Sequence, residues 1–180
     1  MMAALDITRD HFALFELAPT FGLDQAALEQ HFRDLQARVH PDKHAHLSEA
    51  EQRVAMQWAT QVNEAFQTLK SPLKRAQYLL KLRGVDPQVE RNTAMPMEFL
   101  VEQLECREAV SDARSSGDMA ALEALQREMR QEMKAEYATI QQQLDTAQDN
   151  EAAAQTVRRL LFKEKLLHEI EDAIEAIETA

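Results

Sequence analysis

One short polar loop, residues 40–46, separates two long amphipathic helical patterns and constrains the fold more than any other feature of the sequence. Before the loop, apolar side chains recur at intervals of four, three and four residues, which is the spacing of one helical face. They are Leu28, Phe32, Leu35 and Val39. After the loop, a second stripe at helical spacing consists of Ala55, Ala59, Val62, Phe66 and Leu69. Because the connection is short, the two helices must be antiparallel, and the sequence predicts a helical hairpin.

Two further sequence patterns predict one helix before this hairpin and one after it. The apolar segment 11–17 fits two helical turns and stops before a proline. Ser71 as N-cap and Pro72 at the first helical position start another helix, and Gly84 suits the position just after its end. Residues 1–84 are therefore predicted to bury one compact core of their own.

The C-terminal half is predicted to form three long helices. From residue 96 onwards the helical patterns are broken at Gly117 and again at Asp149, and such short breaks favour antiparallel neighbours. Residues 85–95 lack apolar periodicity and are predicted to be a linker, followed by a three-helix bundle over 96–180. Only three glycines and five prolines occur in the 180 residues, so the predicted fold class is all-α.

Charge is distributed unevenly between the two halves. Residues 1–84 carry ten basic and ten acidic side chains, whereas residues 85–180 carry ten basic and twenty-one acidic ones. This asymmetry predicts two parts with different surfaces. It also argues against a nucleic-acid partner, because phosphate binding needs a clustered basic surface.

Cys106 is the only cysteine, so no disulfide can form within the chain and no paired-cysteine zinc site exists. Its helical position predicts a small buried apolar residue rather than a thiol ligand. The N-terminus lacks the basic and apolar regions of a signal peptide, and no apolar run approaches the roughly 20 residues that span a bilayer. We expect a soluble protein in a reducing compartment, without a membrane partner.

The loop between the hairpin helices contains His40-Pro41-Asp42. Pro41 fixes its own φ and restrains His40, so the side chains leave a stiff corner. The Asp42 carboxylate is available to a partner arginine through paired hydrogen bonds. In its order of helices this region, residues 10–83, resembles a J domain, in which a second helix ends in His-Pro-Asp and a third packs against it. The strings Val39-His40-Pro41-Asp42-Lys43 and Asn63-Glu64-Ala65-Phe66-Gln67-Thr68-Leu69 carry that resemblance.

The resemblance implies that the loop and the second helix bind a DnaK-class ATPase. The residues implied for that contact are His40, Pro41, Asp42, Lys43, Arg33 and Arg38. Glu29 and Asp34 dilute the positive charge of the second helix, which departs from the strongly basic helix of general J proteins. This departure favours a dedicated partner over promiscuous docking.

The C-terminal half resembles the HscB type of J-domain co-chaperone. The segments Glu98-Phe99-Leu100-Val101-Glu102-Gln103-Leu104-Glu105-Cys106-Arg107-Glu108 and Thr156-Val157-Arg158-Arg159-Leu160-Leu161-Phe162-Lys163-Glu164-Lys165-Leu166 carry the resemblance, together with Arg75-Ala76-Gln77-Tyr78-Leu79-Leu80. It implies a co-chaperone that stimulates an HscA-like ATPase and delivers an IscU-like scaffold protein of iron–sulfur cluster assembly. We expect no cofactor and no metal ion held by the chain itself.

Helical geometry places two faces on the first helix of the bundle. With Phe99 at zero and about 100° per residue, the residues Gln103, Cys106, Val110 and Ala113 fall within about 40° of it and form the predicted core stripe. Leu100, Val101 and Leu104 cluster on another face, beside Glu105 and Glu108. In the third helix the predicted stripe centres on Leu167 and Ile174, about 140° from Phe162.

The aliphatic residues of the second face and Phe162 are therefore expected to leave the core and form a surface rimmed by carboxylates. By resemblance, the scaffold-binding residues are Leu100, Val101, Leu104, Glu105, Glu108 and Phe162. The alternative is that a three-helix core is wide and Leu104 packs inside it.

Three other interpretations remain open at this stage. A general J-domain co-chaperone would use the acidic bundle for a different client. A catalytic role with His40 as a base lacks a nucleophile, a glycine-rich loop or a carboxylate pair, so we expect no enzyme activity. A metal site at His40, His44 and His46 lacks ordered supporting ligands.

Because the chain starts directly at the J domain, without the cysteine-rich extension of organellar versions, a bacterial cytoplasmic protein is expected.

Overall fold

The computed structural model describes residues 9–87 and 95–180. Within these ranges the chain contains helices and no strand, so the predicted all-α fold class is confirmed. The helices are α1 His11–Leu14, α2 Gln25–Val39, α3 Glu49–Lys70, α4 Pro72–Leu82, α5 Met97–Ser116, α6 Met119–Gln141 and α7 Asn150–Glu178. The chain divides into two compact units, Met1–Leu82 and Arg83–Ala180.

The first unit is the predicted hairpin of α2 and α3, joined by α1 and α4. Asp24 caps α2 by accepting a hydrogen bond from the backbone N–H of Ala27 at 3.1 Å. Ser48 and Glu51 form both hydrogen bonds of a capping box at the start of α3. Most side chains of the two facing apolar stripes are buried. The half-buried ring of Phe32 stacks on that of Phe66 with 3.9 Å between centroids.

Two shorter helices complete this unit. α1 has a single turn rather than the two that were predicted, because the chain leaves the helix at Phe15 and Glu16 adopts a positive φ of 54°. α4 begins at Pro72, as predicted, and Gly84 follows it with a φ of 77°, a conformation that glycine adopts without strain. The Arg75 guanidinium of α4 lies over the ring of Phe21 and donates a hydrogen bond to the carbonyl of Leu69 at 2.7 Å.

The second unit is a bundle of α5, α6 and α7. Gly117, with a φ of 69°, ends α5, and Asp118 and Asp149 cap α6 and α7. α6 finishes in a π-helical turn, Gln142–Thr146, which the sequence pattern did not indicate. The helices otherwise begin and end within a few residues of the predicted breaks.

The buried stripe of α7 differs from the prediction. Its fully buried side chains include Leu160, Leu166 and Ile170, whereas Leu167 and Ile174 are only half-buried. The buried positions follow one another at intervals of three more often than four, so the stripe turns gradually around this 29-residue helix. A single angular average over such a long helix therefore misplaces its centre.

A partly buried ionic cluster links α6 to α7. The Lys163 ammonium lies in the core and donates to Glu132 at 3.0 Å and to Glu136 at 3.5 Å. Arg159 also donates to Glu136, at 3.2 Å, and to the hydroxyl of Thr156 at 3.1 Å. Because each charge has a close partner of opposite sign, the cluster fixes the pairing of the two helices without leaving an isolated buried charge.

The residues that follow α4 pack on the bundle. Arg83 donates hydrogen bonds to the carbonyl of Leu144 at 2.9 Å and to the side chain of Asn150 at 3.1 Å. The buried Pro87 accepts a hydrogen bond from Arg158 at 2.6 Å. Most of the predicted linker, residues 85–95, lies outside the described residues.

Candidate functional site

A well-defined corner is formed where α2 ends. His40 takes an extended conformation with a φ of −60° and a ψ of 130°, because a residue before proline avoids the helical region. Pro41 then starts a 3₁₀ turn, Pro41–His44. The Nδ1 atom of His40 accepts a hydrogen bond from the backbone N–H of Asp42 at 3.3 Å. We refer to His40, Pro41 and Asp42 as the HPD corner.

The side chains of the HPD corner face solvent. The His40 side chain is 52% exposed and that of Asp42 is 91% exposed, and the Asp42 carboxylate lies 3.6 Å from the His40 ring. A carboxylate held on a stiff turn and open to solvent can accept two parallel hydrogen bonds from an arginine of a partner. The corner is therefore suited to binding.

His44 anchors this turn from the inside. Its ring is buried, and its Nε2 atom donates a hydrogen bond to the carbonyl of Arg38 at 2.9 Å. Sequence reasoning missed this role and placed His44 on a solvated loop. This role could have been anticipated from the last turn of α2, because the carbonyls at the end of a helix have no partner within the helix and need a donor from outside it. In the part of the chain that the structure describes, no three His, Cys, Asp or Glu side chains are grouped so that they could hold a metal ion.

The predicted basic residues of this region fall into two groups. Arg33 donates a hydrogen bond to Gln30 at 2.9 Å, and Gln30 in turn donates to Asp34 at 3.0 Å, so the middle of α2 is a mixed polar face. Arg38 and Lys43 are exposed and form no ion pair with any residue of the described ranges. Two cations without an ion pair thus lie close to the HPD corner.

A second candidate surface lies on α5. Leu100, Val101 and Leu104 are 38%, 45% and 58% exposed, as their helical angles predict, and we call them the α5 stripe. Glu105 and Glu108 are exposed beside it. The opposite stripe of α5 is the buried one and consists of Phe99, Gln103, Val110 and Ala113. Leu104 is therefore outside the core, and the alternative of a wide core that encloses it is wrong.

One exposed apolar residue of α5 was missed by the sequence analysis. Met97, which is 74% exposed, precedes Leu100 by three residues and Leu104 by seven. These intervals put the three side chains on one side of the helix. Met97 thus extends the α5 stripe by one turn towards the start of the helix.

Phe162 differs in part from its predicted surroundings. It does not project freely, since it is half-buried and its ring meets that of Phe99 edge to face, with 6.0 Å between the ring centroids.

Cys106 was predicted to be buried and is only partly so. Burial raises the pKa of its thiol, and the nearby carboxylates of Glu132 and Glu128 raise that pKa further. The thiol is therefore protonated at neutral pH.

A helical hairpin with an exposed HPD corner is the arrangement of a J domain, so the chain is a J-domain protein whose hairpin is followed along the sequence by a helical bundle. The family model of the DnaJ domain matches residues 10–78, and that described as the HSCB C-terminal oligomerisation domain matches residues 95–171. The chain belongs to the HscB family of co-chaperones.

Individual HscB proteins are similar to this chain in sequence and structure along nearly its whole length. The co-chaperone HscB homologue of Azoarcus sp. is 52% identical over 97% of this chain and 99% of its own length. The homologue of Ralstonia nicotianae is 51% identical over 93% of this chain and 96% of its own length. HscB of Vibrio cholerae matches with a TM-score of 0.82 at 38% identity, covering 94% of this chain and 99% of the other. Human HscB matches with a TM-score of 0.85 at 30% identity, covering 93% and 83%.

Across residues 9–87 and 95–180, none of the helices combines the length and the apolar character that crossing a bilayer requires.

Proposed function

We propose that this chain stimulates the ATPase of a dedicated HscA-like, DnaK-class chaperone and delivers to it an IscU-like scaffold protein for iron–sulfur cluster assembly, in the bacterial cytoplasm. The observation that carries the proposal is the exposed HPD corner on a turn that His44 anchors to α2. Family membership and the exposed α5 stripe support it.

The ATPase is bound by the corner and by the cations next to it. Asp42 offers its carboxylate to an arginine of the ATPase, while Lys43 and Arg38 attract carboxylates around that arginine. The face around Arg33 carries both signs, because Arg33 donates to Gln30 and Gln30 donates to Asp34, so it contributes orientation more than attraction. A partner must therefore match both signs, which favours a dedicated ATPase.

The scaffold is bound by the α5 stripe. Three exposed aliphatic side chains in a row provide the apolar centre of an interface, and Glu105 and Glu108 provide its charged rim. Phe162 is assigned to the scaffold contact by family resemblance alone, since its ring packs on Phe99 of the buried stripe of α5. The complementary surface of the scaffold is expected to be apolar with basic residues around it.

ATP turnover by a purified HscA-like ATPase tests the first half of the proposal. Wild-type chain should accelerate turnover, whereas His40→Gln and Asp42→Asn should abolish the acceleration and retain the helical content and thermal unfolding of the wild type. His168→Gln is the matched control, because it makes the same substitution at an exposed histidine of α7. A His40→Gln variant that stimulates as well as the wild type would defeat the assignment.

Calorimetric titration tests the second half against the alternative of a general co-chaperone. An IscU-like scaffold should bind the full chain, and a permanently unfolded protein such as reduced, carboxymethylated lactalbumin should not. Binding of the unfolded protein without binding of the scaffold would replace the scaffold by unfolded clients.

A further inference from the structure

The apolar wall of a groove beside the HPD corner takes no part in the contacts proposed above. The groove lies between the loop after Pro41 and the outer side of α3 and has a volume of about 590 Å³. Its apolar wall is formed by Leu47, Ala50, Val54 and Trp58. The last three are spaced four residues apart and therefore share one side of the helix. We call this feature the Trp58 groove.

The wall of the Trp58 groove remains accessible. Val54 is 40% exposed, and Trp58, the only tryptophan of the chain, is half-buried. The core-facing side of α3 is occupied by Ala55, Val62 and other buried residues, so these side chains are not needed to hold α2. Large apolar side chains that a hairpin leaves in contact with water beside a partner-binding site are typical of an interface, and tryptophan is enriched among its strongest contacts.

The rim of the groove carries a free cation at Lys43. Lys43 and His46 line it, and neither forms an ion pair with another residue in the described part of the chain. Glu51 also lines the groove, and one of its carboxylate oxygens accepts hydrogen bonds from the backbone N–H and the hydroxyl of Ser48 at 3.0 and 2.7 Å. These bonds lower the pKa of the Glu51 carboxyl, so the rim carries a negative charge here and a positive one at Lys43. An occupant that places an apolar side chain in the groove and a carboxylate beside Lys43 would match both the apolar wall and this free cation.

We propose that the Trp58 groove is a second docking site for the same DnaK-class ATPase, and that it receives a segment with an apolar side chain next to an Asp or Glu. The inference rests on the proposed function and deepens it. Lys43 follows Asp42 directly and also lines the groove, so one bound partner spans the HPD corner and the groove without a gap. The groove supplies affinity, while the corner triggers turnover.

Titration of ATPase stimulation separates these two roles. Trp58→Gln and Val54→Ser should each raise the concentration of chain needed for half-maximal stimulation at least fivefold and leave the maximal rate unchanged. His40→Gln should instead abolish the maximal rate. Met56→Gln is the matched control, because Met56 is 61% exposed on α3 but lies about 160° around the helix from Val54 and should change neither quantity.

A direct readout follows from the single tryptophan. Full-length chain labelled with 5-fluorotryptophan gives one ¹⁹F resonance, which should shift on addition of the ATP-bound ATPase and saturate at the concentration that saturates stimulation. Thermal unfolding of each variant, with Val54→Ser as the milder change, shows that the hairpin has folded.

The outcomes distinguish this inference from the proposed function. If His40→Gln abolishes stimulation but Trp58→Gln and Val54→Ser behave like Met56→Gln, the groove is not a docking site and the function of the corner stands. A ¹⁹F shift that follows the concentration of the chain alone would assign the groove to a second copy and overturn the inference. If the wild-type chain fails to stimulate the ATPase, the proposed function and this inference are both overturned.

Discussion

The Nε2 atom of His44 lies 2.9 Å from the carbonyl oxygen of Arg38, and this hydrogen bond ties the 3₁₀ turn of the loop to the last turn of α2. A carbonyl oxygen can only accept, so Nε2 carries the proton. Because the ring is buried, water does not compete for the bond. The bond therefore fixes where the HPD corner stands at the end of α2.

Removing this bond should loosen the HPD corner without unfolding the hairpin. His44→Ala leaves the Arg38 carbonyl without its partner, which costs about 1–3 kcal/mol if the group stays buried. We expect weaker stimulation of the ATPase and faster amide hydrogen exchange in residues 41–46. His44→Gln, whose amide can donate to the same carbonyl, should restore part of both. Unchanged exchange in His44→Ala would show that the turn does not depend on this bond.

The two units are predicted to unfold independently. The stability of the isolated bundle should depend on the residue at which the fragment begins. Arg83 and Pro87 are hydrogen-bonded to residues of the bundle, at Leu144, Asn150 and Arg158. A fragment that starts at residue 83 should therefore melt at a higher temperature than one that starts at residue 96. Scanning calorimetry of both fragments, and of residues 1–82, measures this. Fragments that fail to melt cooperatively would mean that each core depends on the other.

The stability of the first unit should fall on acidification, partly through His11. Burial lowers the pKa of His11, and nearby Lys81 lowers it further, against the opposing carboxylates of Glu64 and Asp10. The ring stacks on Tyr78, with 4.2 Å between centroids. Since the folded state takes up the proton at lower pH than the unfolded state, this contribution is complete above about pH 7 and is lost as the pH falls below about 6.5.

His11→Phe retains a ring that can stack on Tyr78 but does not titrate. The melting temperature of the variant should therefore fall less than that of the wild type between about pH 7 and about pH 5. An equal fall in the two proteins would exclude His11 as a source of the pH dependence.

Local chemistry made most of the fold predictable. The helix starts depend on side chains within three residues of the break, such as Ser48 with Glu51 and Pro72 after Ser71, and these appeared where the sequence placed them. The HPD corner was predictable for the same reason, because Pro41 acts on its immediate neighbour. The two faces of α5 were predictable because that helix is short enough for one angular average to hold.

What the sequence did not predict depends on contacts between distant residues. The buried ammonium of Lys163 is compensated by Glu132 and Glu136, about thirty positions away on another helix, and no periodicity in α7 indicates such a pairing. The contact of Phe162 with Phe99 has the same origin. The half-buried state of Phe162 follows from that contact and cannot be read from the pattern of its own helix.

Truncating leucines of the α5 stripe should weaken binding of the scaffold protein and leave the stability of the bundle almost unchanged. In Leu100→Ala with Leu104→Ala, each exposed substitution should change the free energy of unfolding by under about 0.5 kcal/mol. The same truncation at the centre of an interface costs about 2 kcal/mol or more of binding, and each 1.4 kcal/mol is a factor of ten in affinity. We expect scaffold affinity to fall at least tenfold, measured by calorimetric titration, while the melting temperature stays close to that of the wild type.

Leu122→Ala is the matched control for this double variant, because it makes the same substitution at a fully buried leucine of α6. It should lower the free energy of unfolding by about 2–5 kcal/mol, and at temperatures where the bundle remains folded it should bind the scaffold as the wild type does. Met97→Ala extends the test, since a smaller loss of affinity there would indicate that the interface reaches the first turn of α5. If the double variant loses stability like Leu122→Ala, the two leucines support the core, and its loss of binding would reflect unfolding. If it keeps both stability and affinity, the scaffold binds another surface of the chain.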